Sequence, residues 1–150
     1  MATESAALPR KVLFVCIGNT CRSQMAEAVA RHFHAATIQP SSAGISPFGR
    51  IVDDTRRILH ERGVELGAQY CKGLSEAPVA GADLIVNMTG MPGRSLFPGR
   101  KVLDWDVADP YAGGPAAFRE VLEDIEERIA GLARTLRAGE EPHVQGRLGK

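Results

Sequence analysis

A cysteine, an arginine six residues later and a hydroxyl directly after it stand in Cys16-Ile17-Gly18-Asn19-Thr20-Cys21-Arg22-Ser23. A thiolate at Cys16 is a strong nucleophile. The planar fork of Arg22 can grip two oxygens of one oxyanion at once. Gly18 permits close backbone approach or a positive φ, and Asn19 is among the few other residues that tolerate the left-handed region. The chemistry this suggests is nucleophilic attack on a bound, phosphate-sized anion. Asp109-Pro110-Tyr111, late in the chain, offers the complementary group. A carboxylic acid beside the anion can protonate a departing oxygen, then deprotonate the water that attacks the covalent intermediate. Pro110 biases Asp109 toward an extended backbone. Asp106 is the competing carboxylate, and spacing does not separate the two.

These groups need a scaffold that delivers them to one place. Lys11 to Cys16 is a continuous apolar run, as in a strand buried on both faces of a parallel sheet. Ser23 to Phe33 has Met25, Ala28, Val29 and Phe33 at helical spacing. Ile38 to Ala43 reads as a second strand, Val52 to Arg62 as a helix closed by Gly63, and Ala82 to Met88 and Lys101 to Trp105 as further strands. Phe118 to Leu136 is the longest predicted helix, and its acidic residues Glu120, Glu123, Asp124, Glu126 and Glu127 form its solvated face. This alternation predicts one α/β domain over residues 1–150, a mostly parallel sheet with helices on both faces, and flexible ends at 1–9 and 138–150. Ligands sit beyond the carboxyl ends of such strands. The first strand delivers residues 16–23 to that edge, and a helix follows at once. Its backbone N–H groups and helix dipole make an anion cradle in which the Cys16 thiolate is favoured. The Asp109 loop follows the Lys101 strand and reaches the same edge.

Composition narrows the partners. Eighteen Lys+Arg balance eighteen Asp+Glu, so neither nucleic acid nor an anionic membrane is an expected partner. No apolar run approaches the roughly 18 residues of a membrane span, and Met1 to Leu8 lacks the features of a signal peptide. A cytoplasmic location is expected. Three cysteines, Cys16, Cys21 and Cys71, make an odd set that does not suit a disulfide framework. No Cys-x2-Cys occurs, and His32, His34, His60 and His143 have no second ligand at zinc-finger spacing, so no structural zinc is expected. Cys71 reads as a small buried hydrophobe.

With Val15 ahead of the loop and Asp109-Pro110-Tyr111 late in the chain, the sequence resembles the low-molecular-weight protein tyrosine phosphatases. The resemblance runs from about Lys11 to Leu136 and includes Ser42-Ala43-Gly44 and Asn87-Met88-Thr89. It implies a flavodoxin-like, four-stranded parallel sheet and a cysteinyl-phosphate intermediate formed without a metal. Cys16 would be the nucleophile, Arg22 the phosphate ligand and Asp109 the general acid and base. Residues 17–22 would form the phosphate-binding loop, with Asn19, Ser23 and Ser42 as hydrogen-bonding support. The implied substrate is a tyrosine-phosphorylated protein, with Phe48 and Tyr111 on opposite sides of the mouth and Ile17 beside them. In the related arginine phosphatases the position of Ile17 resembles a threonine. Two departures stand out. The family commonly has proline after the loop serine, whereas Gln24-Met25-Ala26-Glu27 follows here, as in the related thioredoxin-coupled arsenate reductases. A histidine frequent near position 69 is Gln69. The arsenate reductases carry two further cysteines after the strand ending Val86-Asn87-Met88-Thr89-Gly90, and this chain has none there. The alternatives are therefore arsenate reduction through an external thiol, or phosphate binding without turnover.

Overall fold

The computed structural model describes residues 9–142. Strands β1 (Arg10–Cys16), β2 (Ile38–Gly44), β3 (Leu84–Asn87) and β4 (Val102–Asp104) form one sheet in the order β2-β1-β3-β4. Every pairing is parallel. Helices α1 (Arg22–Phe33), α2 (Asp53–Glu61), the single turn α3 (Gly93–Leu96) and α4 (Gly114–Arg137) connect or follow the strands, with a 3₁₀ turn at Leu74–Glu76. β1 is buried from Val12 to Cys16, which suits the central place where both neighbours must be apolar. Alternation along it feeds two cores. Val12, Phe14 and Cys16 join Met25, Val29, Ile58, Leu122 and Ile125 under α1, α2 and α4. Leu13 and Val15 pack with Ile85, Phe97 and Val102, beneath the 3₁₀ turn and α3. Both faces are thus covered, and the fold is α/β.

The differences from the sequence pattern are local. α4 begins at Gly114, a turn before the predicted start at Phe118, and Pro115 in that first turn supplies the fixed φ that helix starts accept. α3 and the 3₁₀ turn are too short to leave a periodic signal. The acidic residues of α4 are partly engaged: Glu123 and Glu126 pair with Arg62, and Asp124 with Arg128. The expected flexible ends fall mostly on 1–8 and 143–150, outside the described residues. Within them, the Glu141 carboxylate lies 2.9 Å from Lys101 Nζ. Among the described residues no helix is long and apolar enough to cross a membrane, and no three His, Cys, Asp or Glu side chains cluster as a metal site.

One consequence of the strand order positions the site. From β1 the chain passes through α1 to β2 on one side, while β3 lies on the other. The carboxyl end of β1 is therefore the topological switch point, where adjacent connections diverge and leave a crevice. Cys16 is the last residue of β1.

Candidate active site

The loop after β1 is shaped by where its carbonyls go. Those of Cys16, Ile17 and Gly18 accept the N–H groups of Ile45, Ser46 and Phe48 at 3.1, 2.9 and 3.1 Å. The Asn19 carbonyl accepts Gln24 Nε2 at 3.1 Å, and the Thr20 carbonyl accepts Thr55 Oγ1 at 2.9 Å. In a trans peptide the C=O and the next N–H point in opposite directions. Five carbonyls drawn outward therefore turn the amides of residues 17–21 toward the concave side, above Cys16. Gly44 makes this possible: a Cβ there would lie 2.7 Å from Ile17 O and 2.8 Å from Asn19 N. Its role is close approach, beyond simply ending β2.

Asn19 holds the turn, at φ 56°. Its Nδ2 donates to Ser23 Oγ at 2.7 Å and Ser42 Oγ at 3.1 Å. Its Oδ1 accepts Gln24 Nε2 at 2.7 Å and the Lys72 N–H at 2.8 Å. Ser42, in turn, donates to Glu27 Oε1 at 2.6 Å. Ser23 Oγ lies 2.9 Å from Cys16 Sγ. A thiolate only accepts, so the Ser23 hydroxyl then donates to sulfur while the Asn19 amide occupies its lone pair. The three supporting residues read from the sequence, Asn19, Ser23 and Ser42, thus form one connected set. Gln69, unmatched to the family histidine, donates through Nε2 to Gln24 Oε1 at 2.6 Å and so orients the glutamine that grips Asn19.

Arg22 is 7% exposed, and its Nη1 donates to the carbonyls of Met88 at 2.8 Å and Val107 at 3.1 Å. These bonds fix the guanidinium plane and leave Nε and Nη2 for other partners. Nη2 stands 3.6 Å from Asp109 Oδ2. Asp109 Oδ1 accepts the Tyr111 N–H at 3.0 Å, a local turn that aims the carboxyl group. Cys16, Ile17, Arg22, Phe48, Asp109 and Tyr111 line a single cavity of about 350 Å³, with Ser46 also at its wall. Asp106 lines a different cavity, with Trp105 and Arg94. Phe48 and Tyr111, 63% and 54% exposed, reach over the mouth from the loops after β2 and β4. Across the mouth their rings meet edge to face, centroids 6.0 Å apart.

Comparison with known proteins places this geometry. Residues 11–141 match the family model described as low molecular weight phosphotyrosine protein phosphatase. The chain belongs to that family. It is 30% identical over 142 residues to a probable low molecular weight protein-tyrosine-phosphatase of Ralstonia nicotianae, covering 86% of this chain and 97% of that one. It is 29% identical over 127 residues to a glutaredoxin arsenate reductase of Synechocystis, covering 82% and 95%. The solved arginine phosphatase of Geobacillus stearothermophilus superposes with a TM-score of 0.78 at 28% identity, covering 90% of this chain and 100% of that one.

Several residues around the loop reveal their roles only in the folded chain. Gln24, Glu27, Gln69 and Lys72 converge on Asn19 and Ser42, yet Lys72 lies far from the loop in sequence. In sequence, Gln24 and Gln69 stand out only as departures from the family pattern. Lys72 is 8% exposed, and its Nζ lies 3.9 Å from Glu27 Oε1. Cys71 is not the buried hydrophobe expected: it is half-buried and its thiol donates to Gly18 O at 3.2 Å.

Cys21 lines the cavity with Cys16 and is buried, and that desolvation pushes its thiol above the usual range, the Thr20 hydroxyl partly offsetting it. Cys21 therefore stays protonated near neutral pH and is not the first thiol oxidised. Mild peroxide should oxidise Cys16 to a sulfenic acid, which the Cys21 thiol captures with loss of water. Peptide mapping should find the 16–21 disulfide and reductant should restore the protein. Cys21→Ser should over-oxidise and fail to recover. Equal recovery in both proteins would contradict this role.

Proposed function

We propose that the protein is a phosphotyrosine protein phosphatase acting in the cytoplasm through a cysteinyl-phosphate intermediate. The observation that carries the reading is one cavity holding Cys16 at its floor, Arg22 at its side and Asp109 at its mouth. The phosphate enters the ring of amides with two oxygens on Arg22. The Cys16 thiolate attacks phosphorus in line, and the phosphorus–oxygen bond to the leaving phenoxide breaks as Asp109 donates its proton. Asp109, now a carboxylate, takes a proton from water, whose oxygen displaces sulfur and releases inorganic phosphate. Ser23 donates to the departing thiolate. The amides and Arg22 stabilise the trigonal transferring group in both steps. No metal or cofactor takes part. A reducing compartment keeps the thiol active, which is the reason for placing the protein in the cytoplasm.

The choice of tyrosine rests on the rim, since the cradle reads only the phosphate. Both rim aromatics are exposed on loops, so a phenyl ring enters by parting them and exchanges their mutual contact for contacts with itself. Ile17, half-exposed beside them, offers apolar contact and no hydroxyl for a phosphoguanidinium. Aromatic pairs of this kind contribute about 0.5–1.5 kcal/mol, so Phe48→Ala and Tyr111→Ala should each lower kcat/KM on phosphotyrosine peptide about two- to tenfold. Ile17→Thr should raise the ratio of phosphoarginine to phosphotyrosine hydrolysis. Efficient phosphoarginine hydrolysis by the wild type, or unchanged phosphotyrosine efficiency in both aromatic variants, would overturn the assignment. Gln24 in place of proline, shared with the arsenate reductases, favours a second reading in which arsenate occupies the cradle and an external thiol reduces it. Arsenate-dependent thiol oxidation without aryl phosphatase activity is its signature. Phosphate binding with neither activity would leave a binding domain.

A further inference from the structure

Beside the catalytic cavity lies a groove of about 400 Å³, lined by Arg50, Ile51, Asp53, Arg56, Tyr70 and Cys71 among others. The two share a wall, because Cys71, which lines the groove, donates to Gly18 O of the phosphate-binding loop at 3.2 Å. They also share a rim. Arg50 is two residues beyond Phe48 and its N–H donates to Phe48 O at 3.2 Å. Consecutive Cα atoms are about 3.8 Å apart, which keeps the Arg50 backbone within about 7.6 Å of that of Phe48. An extended peptide with its phosphorylated side chain in the cavity advances about 3.3–3.6 Å per residue. It therefore meets the groove within about one to three residues.

The groove carries unspent charge. Arg57, Arg62, Arg119 and Arg128 each pair with a carboxylate. Arg50 and Arg56 are exposed, and among the described residues neither makes an ion pair or a side-chain hydrogen bond. Asp53 is the one acidic residue lining the groove, and its neighbour Asp54 is already tied to Arg57 at 2.6 Å. Two guanidinium groups against one carboxylate leave a local positive charge on a chain of zero formal net charge. Exposed Tyr70 adds an apolar wall for the stem of a bound side chain.

We propose that this groove is a docking subsite for an acidic side chain flanking the phosphorylated residue of a protein substrate, with Arg50 and Arg56 as its clamp. The proposal rests on the phosphatase reading and gives it a substrate class: phosphorylated segments with glutamate or aspartate within a few residues of the phosphate. An inorganic oxyanion or a free aryl phosphate held in the cavity has no flanking side chain to place in the groove.

The test compares three matched phosphotyrosine peptides, flanked by glutamate, glutamine or lysine, with p-nitrophenyl phosphate. The glutamate peptide should exceed the glutamine peptide in kcat/KM by about two- to fivefold at low salt, with the lysine peptide lower still, the upper part of the range expected for exposed charge pairs. The spread should shrink at roughly 0.5 M salt, where the Debye length is about 4 Å. Arg50→Ala/Arg56→Ala should bring the three peptides level while p-nitrophenyl phosphate hydrolysis stays within about twofold. Equal rates for all three peptides in the wild type, or an unchanged ranking in the double variant, would overturn the subsite and leave the phosphatase reading standing. Calorimetric binding of the same peptides to Cys16→Ser protein separates the two ideas. A wild type that hydrolyses no aryl phosphate, with arginine-dependent binding of the glutamate peptide, would sink the phosphatase reading and keep the subsite.

Discussion

Replacing Cys16 by serine should abolish phosphate-ester turnover, an expected loss of about 10⁴-fold or more, while inorganic phosphate should still bind with near wild-type affinity. The size follows from the chemistry, since a serine hydroxyl is not ionised near neutral pH and removing a covalent nucleophile costs on the order of 10⁴–10⁶. Retained binding follows from the geometry. The amides turned inward by the outward carbonyls of residues 16–20 do not depend on the sulfur. Nor does Arg22, which is pinned by Met88 O and Val107 O. Arg22→Ala gives the contrasting result: affinity and rate fall together, because the guanidinium serves ground and transition states alike. Phosphate titration by calorimetry beside single-turnover kinetics reads both quantities. A folded Cys16→Ser protein that hydrolyses substrate, or that has lost phosphate altogether, would refute the assignment of nucleophile and cradle.

Asp109→Asn should lower kcat by about 10²–10⁴, the usual contribution of a general acid. An amide can neither give the proton to the phenoxide nor take one from water. The deficit should be largest for phenyl phosphate and smallest for nitrophenyl phosphate, whose leaving group departs without protonation. Asp106→Asn, whose carboxyl group lines the neighbouring cavity, should leave both substrates unaffected. Chelators should change neither protein. A plot of log kcat against leaving-group pKa decides the matter: a steeper slope for Asp109→Asn than for wild type supports the acid, and parallel lines exclude it.

The phosphate-binding loop was legible because its members are contiguous. An apolar strand, a glycine and asparagine, an arginine and a helix start all fall between residues 11 and 33, where local periodicity and spacing suffice. The choice between Asp106 and Asp109 was not, since both follow β4 and only the tertiary path of that loop separates them. The support beneath Asn19 was readable in part. Ser23 lies in the motif and Ser42 follows from family likeness. Lys72 contributes a backbone N–H, which every residue except proline has, so its identity carried no hint. Gln69 is a departure from the family pattern, and its use depends on Gln24, its partner 45 positions away. The rim failed differently. Phe48 and Tyr111 meet ring to ring, and that contact depends on two loops whose conformations no periodicity encodes.

The bonds of Arg22 to carbonyls 66 and 85 residues further along the chain also bear on how this protein comes into being. The β1–α1 unit emerges first in synthesis with the entire anion-binding motif in its sequence, yet its arginine has no anchor until the ends of β3 and β4 arrive. Joining such distant segments means closing long loops, the slow component of folding for parallel topologies. Nascent chains and N-terminal fragments therefore carry the signature residues without a formed site. A thiol capable of covalent chemistry gains its working surroundings only once the sheet is complete, and catalytic competence becomes a late marker of the finished fold.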